Sequence, residues 1–470
     1  MDISNNQPTI LVIFGGSGDL TRRKLIPALY NLDKQGLLPG QFEIIAFARR
    51  EYTAESFRKY LKDEVEKMKP RLLDQVTWNR FSKRVSYLRG DFSDMEAYKT
   101  LADRLNEIDD SLGVCTHKIF HLAISPDFFG QVFEGLQQTQ LSQICENVKD
   151  TRVVIEKPFG RDLASFKSLN EKVLSVFEES QIYRIDHYLG KETVQNLLYF
   201  RAANPFFLDD WDVKHIRAIK IHVYESLGVG TRGSYYDSYG HLRDMVQSHI
   251  LQLVALVLMQ LPNEFDHDKI RAAKTEVLKN LRAVEIIRGQ YKEGVVGGKI
   301  VVGYKEENDV SEDSDTETFV KIRAKVGGGD WDGLELDIVS GKRMKEKNSS
   351  IIVDYKPNES IKGIKGSNTL IFRLQPHEGM TLKLQVKKPT SERLDEVDMS
   401  FNYKESFQTI LPDAYEKIML DVIRLRRSLF LGTEELKASW TFVDSILKRW
   451  ENNADDLILY PAGSNELADE

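Results

Sequence analysis

The pattern of hydrophobic and polar positions changes near residue 186. Before that point, short continuous apolar runs alternate with helical periodicity, and the runs are Thr9–Phe14, Phe42–Phe47, Lys118–Ala123 and Thr151–Ile155. Such runs, each followed by an amphipathic stretch like residues 20–35, are typical of parallel strands that are buried on both faces. Residues 1–186 are therefore predicted to form an α/β domain with a doubly wound parallel sheet.

Residues 187–470 follow a different pattern. Helices are predicted at about 243–259 and 269–280, and period-two alternation marks strands at Phe319–Val326, Leu334–Ile338, Leu370–Leu374 and Leu382–Val386. This alternation is typical of an antiparallel sheet with one face solvated or covered by a partner. Helical periodicity returns at about 414–450, and the acidic stretch 306–317 is expected to be a solvated loop or strand edge. We predict an α+β domain with a large, mainly antiparallel sheet packed by helices.

Composition and charge narrow the possible partners. The 470 residues carry a net charge of −7, which disfavours nucleic-acid binding because that function needs a basic face. The longest apolar stretch, Ile250–Leu261, is shorter than the ~20 residues that a membrane span needs. The N-terminus is polar and lacks the basic region of a signal peptide. A soluble, cytoplasmic protein without nucleic-acid or membrane partners is expected.

Cysteine and histidine spacing gives no reason to expect a metal. Cys115 and Cys145 are the only cysteines, so we expect neither a disulfide framework nor a cysteine zinc site, only ordinary half-buried thiols. His117 and His121 have the spacing of helical ligands but lie on a predicted strand. There they would be ~13 Å apart at ~3.3 Å per residue, which is too far for one ion.

A glycine-rich turn follows the first predicted strand, in the sequence Gly15-Gly16-Ser17-Gly18-Asp19-Leu20. Glycines between a strand and a helix let the backbone approach a pyrophosphate, whose charge the helix N-terminus stabilises. The standard dinucleotide fingerprint would place a further glycine at position 13, which is Ile13, so a plain tight turn stays an alternative. The setting favours a Rossmann-like dinucleotide-binding domain.

The second predicted strand ends near Arg49 and Arg50 rather than at an acidic residue. A carboxylate there would accept from the ribose hydroxyl of NAD, whereas Arg49, helped by Arg50 and Ser17, would pair with the 2′-phosphate of NADP. An exposed arginine without a ligand is the alternative. Together with the glycine-rich turn, this favours NADP as the cofactor, and NAD stays possible.

Two further segments concentrate ionisable side chains. Lys157, in the sequence Glu-Lys-Pro-Phe-Gly, follows a predicted strand where open α/β sheets bind ligands. His187, Tyr188 and Lys191 lie close together in Arg184–Glu192 and offer several donors that suit a phosphate dianion. His249 lies in an apolar helix, and considered alone it is more simply a core histidine.

These segments, in this order and spacing, resemble the glucose-6-phosphate dehydrogenase family. The resemblance rests on Gly15–Leu20, Glu156–Gly160, Arg184–Glu192 and Arg232–His249, and it extends through Trp331–Gly333, Ser340–Lys347 and Gln375–Glu378 to Tyr460–Ser464. It covers almost the whole chain, and Arg184–Glu192 is its most specific part. The resemblance implies oxidation of glucose 6-phosphate at C1 with NADP, the first step of the oxidative pentose phosphate pathway.

The resemblance also implies roles for individual residues. His249 would be the general base, with Asp186 as the carboxylate that holds and polarises it. The substrate-binding residues would be Lys157, His187, Tyr188, Lys191, Glu225, Asp244, Lys342 and Lys347. The cofactor-binding residues would be Gly15, Gly16, Ser17, Gly18, Asp19, Leu20, Lys24, Arg49 and Lys157. No metal is implied, and the large antiparallel sheet would form a homodimer, or a homotetramer built from dimers.

Two other functions stay open. A sugar oxidoreductase of the glucose–fructose oxidoreductase type would act on an unphosphorylated sugar, and His187, Tyr188 and Lys191 would then be idle. A non-catalytic NADPH-binding sensor on the same fold would not need the acid–base pair of Asp186 and His249.

Overall fold

A computed structural model describes residues 7–68, 72–145, 147–357, 366–408, 411–451 and 456–469. The strands in these residues are, in chain order, β1 (Thr9–Phe14), β2 (Phe42–Ala48), β3 (Val85–Arg89), β4 (His117–Leu122), β5 (Thr151–Ile155), β6 (Ile182–Ile185), β7 (Ile216–Tyr224), β8 (Leu281–Lys292), β9 (Gly294–Val296), β10 (Lys299–Val301), β11 (Phe319–Val326), β12 (Glu335–Gly341), β13 (Asn348–Tyr355), β14 (Thr369–Gln375), β15 (Gly379–Lys387), β16 (Leu394–Asn402), β17 (Phe430–Leu431) and β18 (Leu457–Pro461).

The α-helices in the same residues are α1 (Ile26–Lys34), α2 (Ala54–Met68), α3 (Gln75–Phe81), α4 (Met95–Leu112), α5 (Phe129–Gln138), α6 (Leu163–Leu174), α7 (Glu192–Ala203), α8 (Pro205–Leu208), α9 (Gly233–Tyr239), α10 (Leu251–Leu258), α11 (His267–Asn280), α12 (Tyr403–Phe407), α13 (Ala414–Ile423), α14 (Thr433–Glu451) and α15 (Glu466–Asp469). Two π-helical stretches, Thr21–Leu25 and Leu242–Ile250, run directly into α1 and α10. The chain divides into two compact units. Unit 1 runs to Gly160 and adds Ala164–Lys191 and Pro412–Thr433, and unit 2 comprises Arg161–Leu163, Glu192–Leu411 and the residues from Glu434 onward.

Unit 1 is built on one seven-stranded sheet with the strand order β17-β6-β5-β4-β1-β2-β3. All neighbours are parallel except β17, which pairs antiparallel with β6. Every residue of β1 is buried, as the continuous apolar run predicts. The Rossmann-like prediction is confirmed, although β3, β6 and β17 were not predicted; β3 lacks the continuous buried run that marks β5.

The segment Pro412–Thr433 packs in unit 1, although the sequence analysis assigned these residues to the second domain. Ile418 and Met419 of α13 belong to the core cluster that contains Leu29 of α1. The predicted boundary after residue 186 stays a prediction. The sequence pattern does not show that this segment packs in unit 1. Periodicity indicates which face of a helix is buried, but not which other element covers that face.

Unit 2 contains a nine-stranded sheet with the order β16-β15-β14-β13-β7-β12-β11-β8-β18. The pairs β7–β12 and β8–β18 are parallel and the others antiparallel, which confirms the prediction of a mainly antiparallel sheet. The predicted strand Phe319–Val326 is β11, and β14 alternates between buried and half-buried positions as expected. Among the described residues, none of the helices combines the length and apolar character of a membrane span.

The expectation of two ordinary thiols is wrong. Cys115 and Cys145 form a disulfide, with Cα atoms 6.0 Å apart. Cys115 precedes β4 and Cys145 precedes β5, and these parallel neighbours bring their amino ends to the same edge of the sheet. Two cysteines cannot build a framework, but strand pairing still places these two within bonding distance.

Candidate active site

The glycine-rich turn follows β1 in unit 1 and is hydrogen-bonded to the end of β2. The amides of Gly15 and Gly16 donate to the carbonyl oxygen of Phe47, at 3.0 and 3.1 Å. Gly15 has a φ of +84°, and a Cβ there would lie 2.4 Å from the carbonyl oxygen of Ala123. Glycine meets both conditions because it lacks a Cβ and adopts positive φ readily. Glycine at position 15 is thus required for the turn to pack against Ala123.

A cavity of about 240 Å³ opens beside this turn, within unit 1. Four of the predicted cofactor residues line it: Gly15, Ser17, Gly18 and Arg49. The whole lining consists of Gly15, Ser17, Gly18, Ala48, Arg49, Arg50, Gly90, Asp91, Phe92, Ala123, Ile124, Ser125 and Phe128. The sequence analysis missed Asp91, Phe92 and Phe128. The first two follow β3, and recognising that strand would have identified them, because ligands bind at the carboxyl ends of parallel strands.

The other predicted residues of this turn are not among the lining residues. Gly16 packs against β2, where a Cβ would come within 2.6 Å of another Cβ. Asp19 forms ion pairs at 2.6 and 2.7 Å with two arginines of its own helical turn. Leu20 packs against the core of unit 1, and Lys24 pairs with Asp413 at 3.0 Å. These contacts hold the turn in place.

The segment after β5 is held by a buried hydrogen-bond network. Glu156 accepts from Nε2 of His121 at 3.1 Å and from the hydroxyl of Tyr415 at 3.2 Å. Burial, and then the nearby Glu156 carboxylate, raise the pKa of Tyr415 well above its ordinary value, so the phenol remains a donor. The peptide bond between Lys157 and Pro158, just after Glu156, is cis. The network fixes the backbone from which Lys157 extends.

The two histidines of β4 have separate acidic partners. His117 lies 3.1 Å from Asp150, and His121 lies 3.1 Å from Glu156. Burial and the neighbouring Arg152 lower the pKa of His117 to about 4, so this imidazole is neutral at physiological pH. The two histidines therefore have different partners along the strand, and the expectation that they do not share an ion stays a prediction.

The predicted phosphate-binding residues lie in one tight turn of unit 1, after β6. The amide of Tyr188 donates to Oδ1 of Asp186 at 2.9 Å, and the amide of Lys191 donates to the carbonyl of Tyr188 at 3.1 Å. Nζ of Lys191 lies 3.5 Å from the centroid of the Tyr188 ring, and the His187 ring meets that ring edge-on at 5.3 Å. The structure therefore brings His187, Tyr188 and Lys191 together, with the buried Asp186 at the base of the turn.

In unit 2, Glu225 and Lys342 meet although they are far apart in sequence. They follow β7 and β12, which are parallel neighbours, so the carboxyl ends of the two strands coincide. Nζ of Lys342 lies 2.6 Å from Oε2 of Glu225. Burial alone would raise the pKa of Glu225, but the attraction and hydrogen bond of Lys342 outweigh it and lower the pKa. The pair presents an ionised carboxylate and an ammonium group side by side.

Asp244 and His249 lie on the π-helical stretch Leu242–Ile250, and both are buried. A π-helix has backbone hydrogen bonds between residues five apart, so its side chains extend in different directions from those of a regular α-helix. The helix predicted at about 243–259 therefore begins with a π-helical stretch. Lys347 lies at an exposed position just before β13.

Comparison with known proteins adds an independent finding. The family model described as "Glucose-6-phosphate dehydrogenase, NAD binding domain" matches residues 12–196, and the model described as "Glucose-6-phosphate dehydrogenase, C-terminal domain" matches residues 198–469. The glucose-6-phosphate 1-dehydrogenase of Chlamydia pneumoniae is 39% identical over 474 residues, which cover 97% of this chain and 93% of that protein. The enzyme of the same name from Mycolicibacterium smegmatis is 38% identical, with coverage of 98% and 95%.

Solved structures give the same result. A glucose-6-phosphate dehydrogenase in complex with its substrate glucose-6-phosphate superposes with a TM-score of 0.92 at 32% identity, covering 98% of this chain and 96% of that one. A glucose-6-phosphate 1-dehydrogenase from Mycobacterium avium superposes with a TM-score of 0.83 at 29% identity, with coverage of 97% and 95%.

Proposed function

Because this chain belongs to the glucose-6-phosphate dehydrogenase family, we propose that it oxidises C1 of D-glucose 6-phosphate to 6-phospho-D-glucono-1,5-lactone, with NADP as hydride acceptor. The observation that carries the proposal is the match of the two family models over residues 12–196 and 198–469, which include every candidate residue.

The glycine-rich turn and the two arginines after β2 are suited to binding a dinucleotide. The turn at Gly15 lines the same cavity as Arg49 and Arg50, so backbone amides and two guanidinium groups face one space. When bound, the nicotinamide would supply the hydride acceptor. Two guanidinium groups at the end of β2 favour the 2′-phosphate of NADP over the bare ribose of NAD, because planar arginine donors pair well with phosphate oxygens.

The reaction needs a base at the C1 hydroxyl. We assign this role to His249, because a neutral imidazole can accept the hydroxyl proton at physiological pH as the hydride leaves C1. Asp186 is assigned as its carboxylate partner, which would fix the tautomer and stabilise the imidazolium. Base catalysis of this type contributes roughly 10²–10⁴-fold to the rate, and alignment of the reacting atoms contributes the rest.

The substrate phosphate is assigned to His187, Tyr188 and Lys191. Their arrangement in one turn supports this role, since an ammonium group, an imidazole and a phenol can donate together to a dianion. The sugar hydroxyls and remaining phosphate oxygens are assigned to Lys157, Asp244, Lys347 and the pair of Glu225 and Lys342.

Absorbance of reduced nicotinamide tests the proposal directly. Purified protein, glucose 6-phosphate and NADP should give fast reduction, with little on free glucose. Arg49→Ala should raise KM for NADP about 10- to 100-fold and leave KM for NAD within about twofold, because one charge-assisted contact is lost. Equal effects on both coenzymes would remove the NADP assignment while keeping the reaction.

A second variant separates the alternatives. Lys191→Ala should raise KM for glucose 6-phosphate at least about tenfold and barely change activity on free glucose, because only the phosphate contact is lost. Equal loss on both substrates would count against the phosphate role, and unchanged activity on both would favour an oxidoreductase of unphosphorylated sugars, in which Lys191 is idle. Absence of turnover on either sugar, with NADPH still bound, would favour the sensor.

We also propose a homodimer, or a homotetramer built from two such dimers, formed through the edge of the nine-stranded sheet. Leu384 of β15 lies opposite Val397 of β16, and Leu382 lies opposite Met399, so these four side chains share a face. Val397 and Met399 are 40% and 62% exposed. Met399→Glu should dissociate the assembly in light-scattering measurements, and an unchanged mass would exclude this face. The cytoplasmic location stays a prediction.

A further inference from the structure

A chain of three buried side chains runs beneath the Glu225–Lys342 pair in unit 2. His241 is 0% exposed, at the junction of α9 and the π-helical stretch. Its Nδ1 lies 2.8 Å from the hydroxyl of Tyr236, and its Nε2 lies 2.7 Å from the hydroxyl of Ser340. Ser340 in turn donates to the carbonyl oxygen of Val223 at 2.8 Å. We call this the Tyr236–His241–Ser340 chain.

The hydrogen bonds of this chain have a single direction. The Ser340 proton points to the Val223 carbonyl, so Ser340 must accept from Nε2 of His241. Nε2 therefore carries the imidazole proton, and in the neutral ring Nδ1 is an acceptor for the Tyr236 hydroxyl. Burial keeps the pKa of Tyr236 well above its ordinary value, so its proton is always present to donate. His241 is thus held in one tautomer and one orientation.

The chain is connected to both strands that carry the Glu225–Lys342 pair. Ser340 lies on β12, two residues before Lys342, which follows that strand. Val223 lies on β7, two residues before Glu225, which follows that strand. Nζ of Lys342 also lies 5.1 Å from the centroid of the Tyr236 ring, within the range of a cation–π interaction. His241 therefore contacts both the serine hydroxyl that bridges the two strands and the tyrosine whose ring faces the ammonium group.

We propose that His241 is a positioning residue for the sugar phosphate: through Tyr236 and Ser340 it fixes the Glu225–Lys342 pair in the geometry that binds the substrate. The inference rests on the proposed function, since it assigns the pair to the substrate. Neither the resemblance nor the apolar pattern of the sequence singled out His241.

A purely structural role makes a different prediction. His241 would then contribute only to the stability of unit 2, and its replacement would lower the melting temperature without a selective effect on KM. His222 provides the matched control, because it is another partly buried histidine of the same unit, stacked on Tyr224 at 5.3 Å. It lies on β7, on the opposite face from Val223.

The test uses the full-length protein with glucose 6-phosphate and NADP. His241→Leu should raise KM for glucose 6-phosphate about tenfold, with kcat and KM for NADP changed less than about threefold, because the ground-state contacts of the sugar phosphate are loosened. His241→Gln should be intermediate, since its amide keeps one of the two hydrogen bonds. His222→Gln should leave KM unchanged.

Two further variants keep the test informative if His241→Leu does not fold. Tyr236→Phe removes only the hydroxyl, and Ser340→Ala removes both the acceptor of Nε2 and the donor to the Val223 carbonyl; each should raise the same KM by about threefold. When it is combined with His241→Gln, Ser340→Ala should raise KM for glucose 6-phosphate by a smaller factor than it does alone, because both changes disrupt the same Tyr236–His241–Ser340 chain. Additive effects, or unchanged KM in every variant of an active enzyme, would overturn the inference alone. An inactive wild-type protein would overturn the proposed function as well.

Discussion

Replacing Lys342 by methionine separates charge from packing at the Glu225–Lys342 pair. Methionine keeps most of the side-chain volume and removes the ammonium group. The side chain of Lys342 is 2% exposed and that of Glu225 is 34% exposed, so the carboxylate would lose its cation in a partly dehydrated setting. A hydrogen bond to a charged group contributes about 1.5–3 kcal/mol. We expect a loss of that size in the free energy of unfolding.

The same figure sets the expected loss of activity. If Lys342 makes an equivalent contact with the substrate, about 1.5–3 kcal/mol corresponds to a fall in kcat/KM of about 10- to 150-fold. Steady-state kinetics across a series of pH values would measure it, and urea denaturation would measure stability in parallel. Lys269→Met is the matched control. Lys269 pairs with Glu264 at 2.8 Å, but both side chains are more than half exposed, so its loss should change stability by less than about 1 kcal/mol.

The pH dependence has a definite sign. Lys342 holds the pKa of Glu225 below its ordinary value of 4.5, so this pair stabilises the wild type above that pH and the contribution is lost as pH falls through the lower value. Without Lys342, burial is the largest remaining influence and raises the pKa of Glu225. The difference in unfolding free energy between wild type and Lys342→Met should therefore shrink as pH falls from the raised pKa of Glu225 in the variant to its lowered pKa in the wild type, because over that range only the variant's carboxyl is protonated.

The kinetic profile should shift in the corresponding direction. The acid limb of kcat/KM should begin at a higher pH in Lys342→Met than in wild type, and the additional Glu225→Gln replacement should abolish this shift because no carboxyl remains to titrate. A Lys342→Met enzyme with KM within threefold of wild type, or with an unshifted acid limb, would refute the assigned role of the pair.

Three further predictions concern other parts of the molecule. Lys274 and Glu435 form an ion pair at 2.8 Å with side-chain exposures of 0% and 1%, so Lys274→Met should cost about 3–5 kcal/mol in urea denaturation. Adding Glu435→Leu should recover most of that loss, and an equally unstable double variant would contradict the argument. Reduction of the Cys115–Cys145 disulfide, which closes a loop of 30 residues, should lower the free energy of unfolding by about 3.5 kcal/mol; identical curves with and without reductant would exclude it. Gly15→Ala should weaken NADPH binding at least about tenfold in fluorescence titration, because its Cβ would lie 2.4 Å from a carbonyl oxygen; unchanged affinity would show that the turn relaxes.

Much of the fold follows from local patterns. The fully buried β1 and the alternating β14 could be predicted, because the spacing of apolar residues indicates which faces of a strand are buried. The glycine-rich turn was recognisable because a close backbone approach requires residues without a Cβ. Strands β3 and β6 were not predicted. Because β3 was not predicted, Asp91 and Phe92, which follow it and line the cavity, were not predicted as site residues either.

Other features depend on pairs that are distant in sequence. Glu225 and Lys342 meet only because β7 and β12 are parallel neighbours in an otherwise mainly antiparallel sheet. Cys115 and Cys145 bond because β4 and β5 begin at the same edge. Strand order is set by how whole elements pack, and a pattern read along one strand does not report its neighbour.

The sequence alone determined the two-part architecture and the chemical types of the candidate residues, because periodicity and side-chain chemistry are local properties. It could not determine that α13 returns to complete the core of unit 1, or that Asp244 and His249 lie on a π-helical stretch. Nor could it show that His241 is hydrogen-bonded to Tyr236 and Ser340 rather than lying on a solvated surface. Those outcomes were decided by tertiary packing, since burial and hydrogen-bond partners arise from residues that only the folded chain brings together.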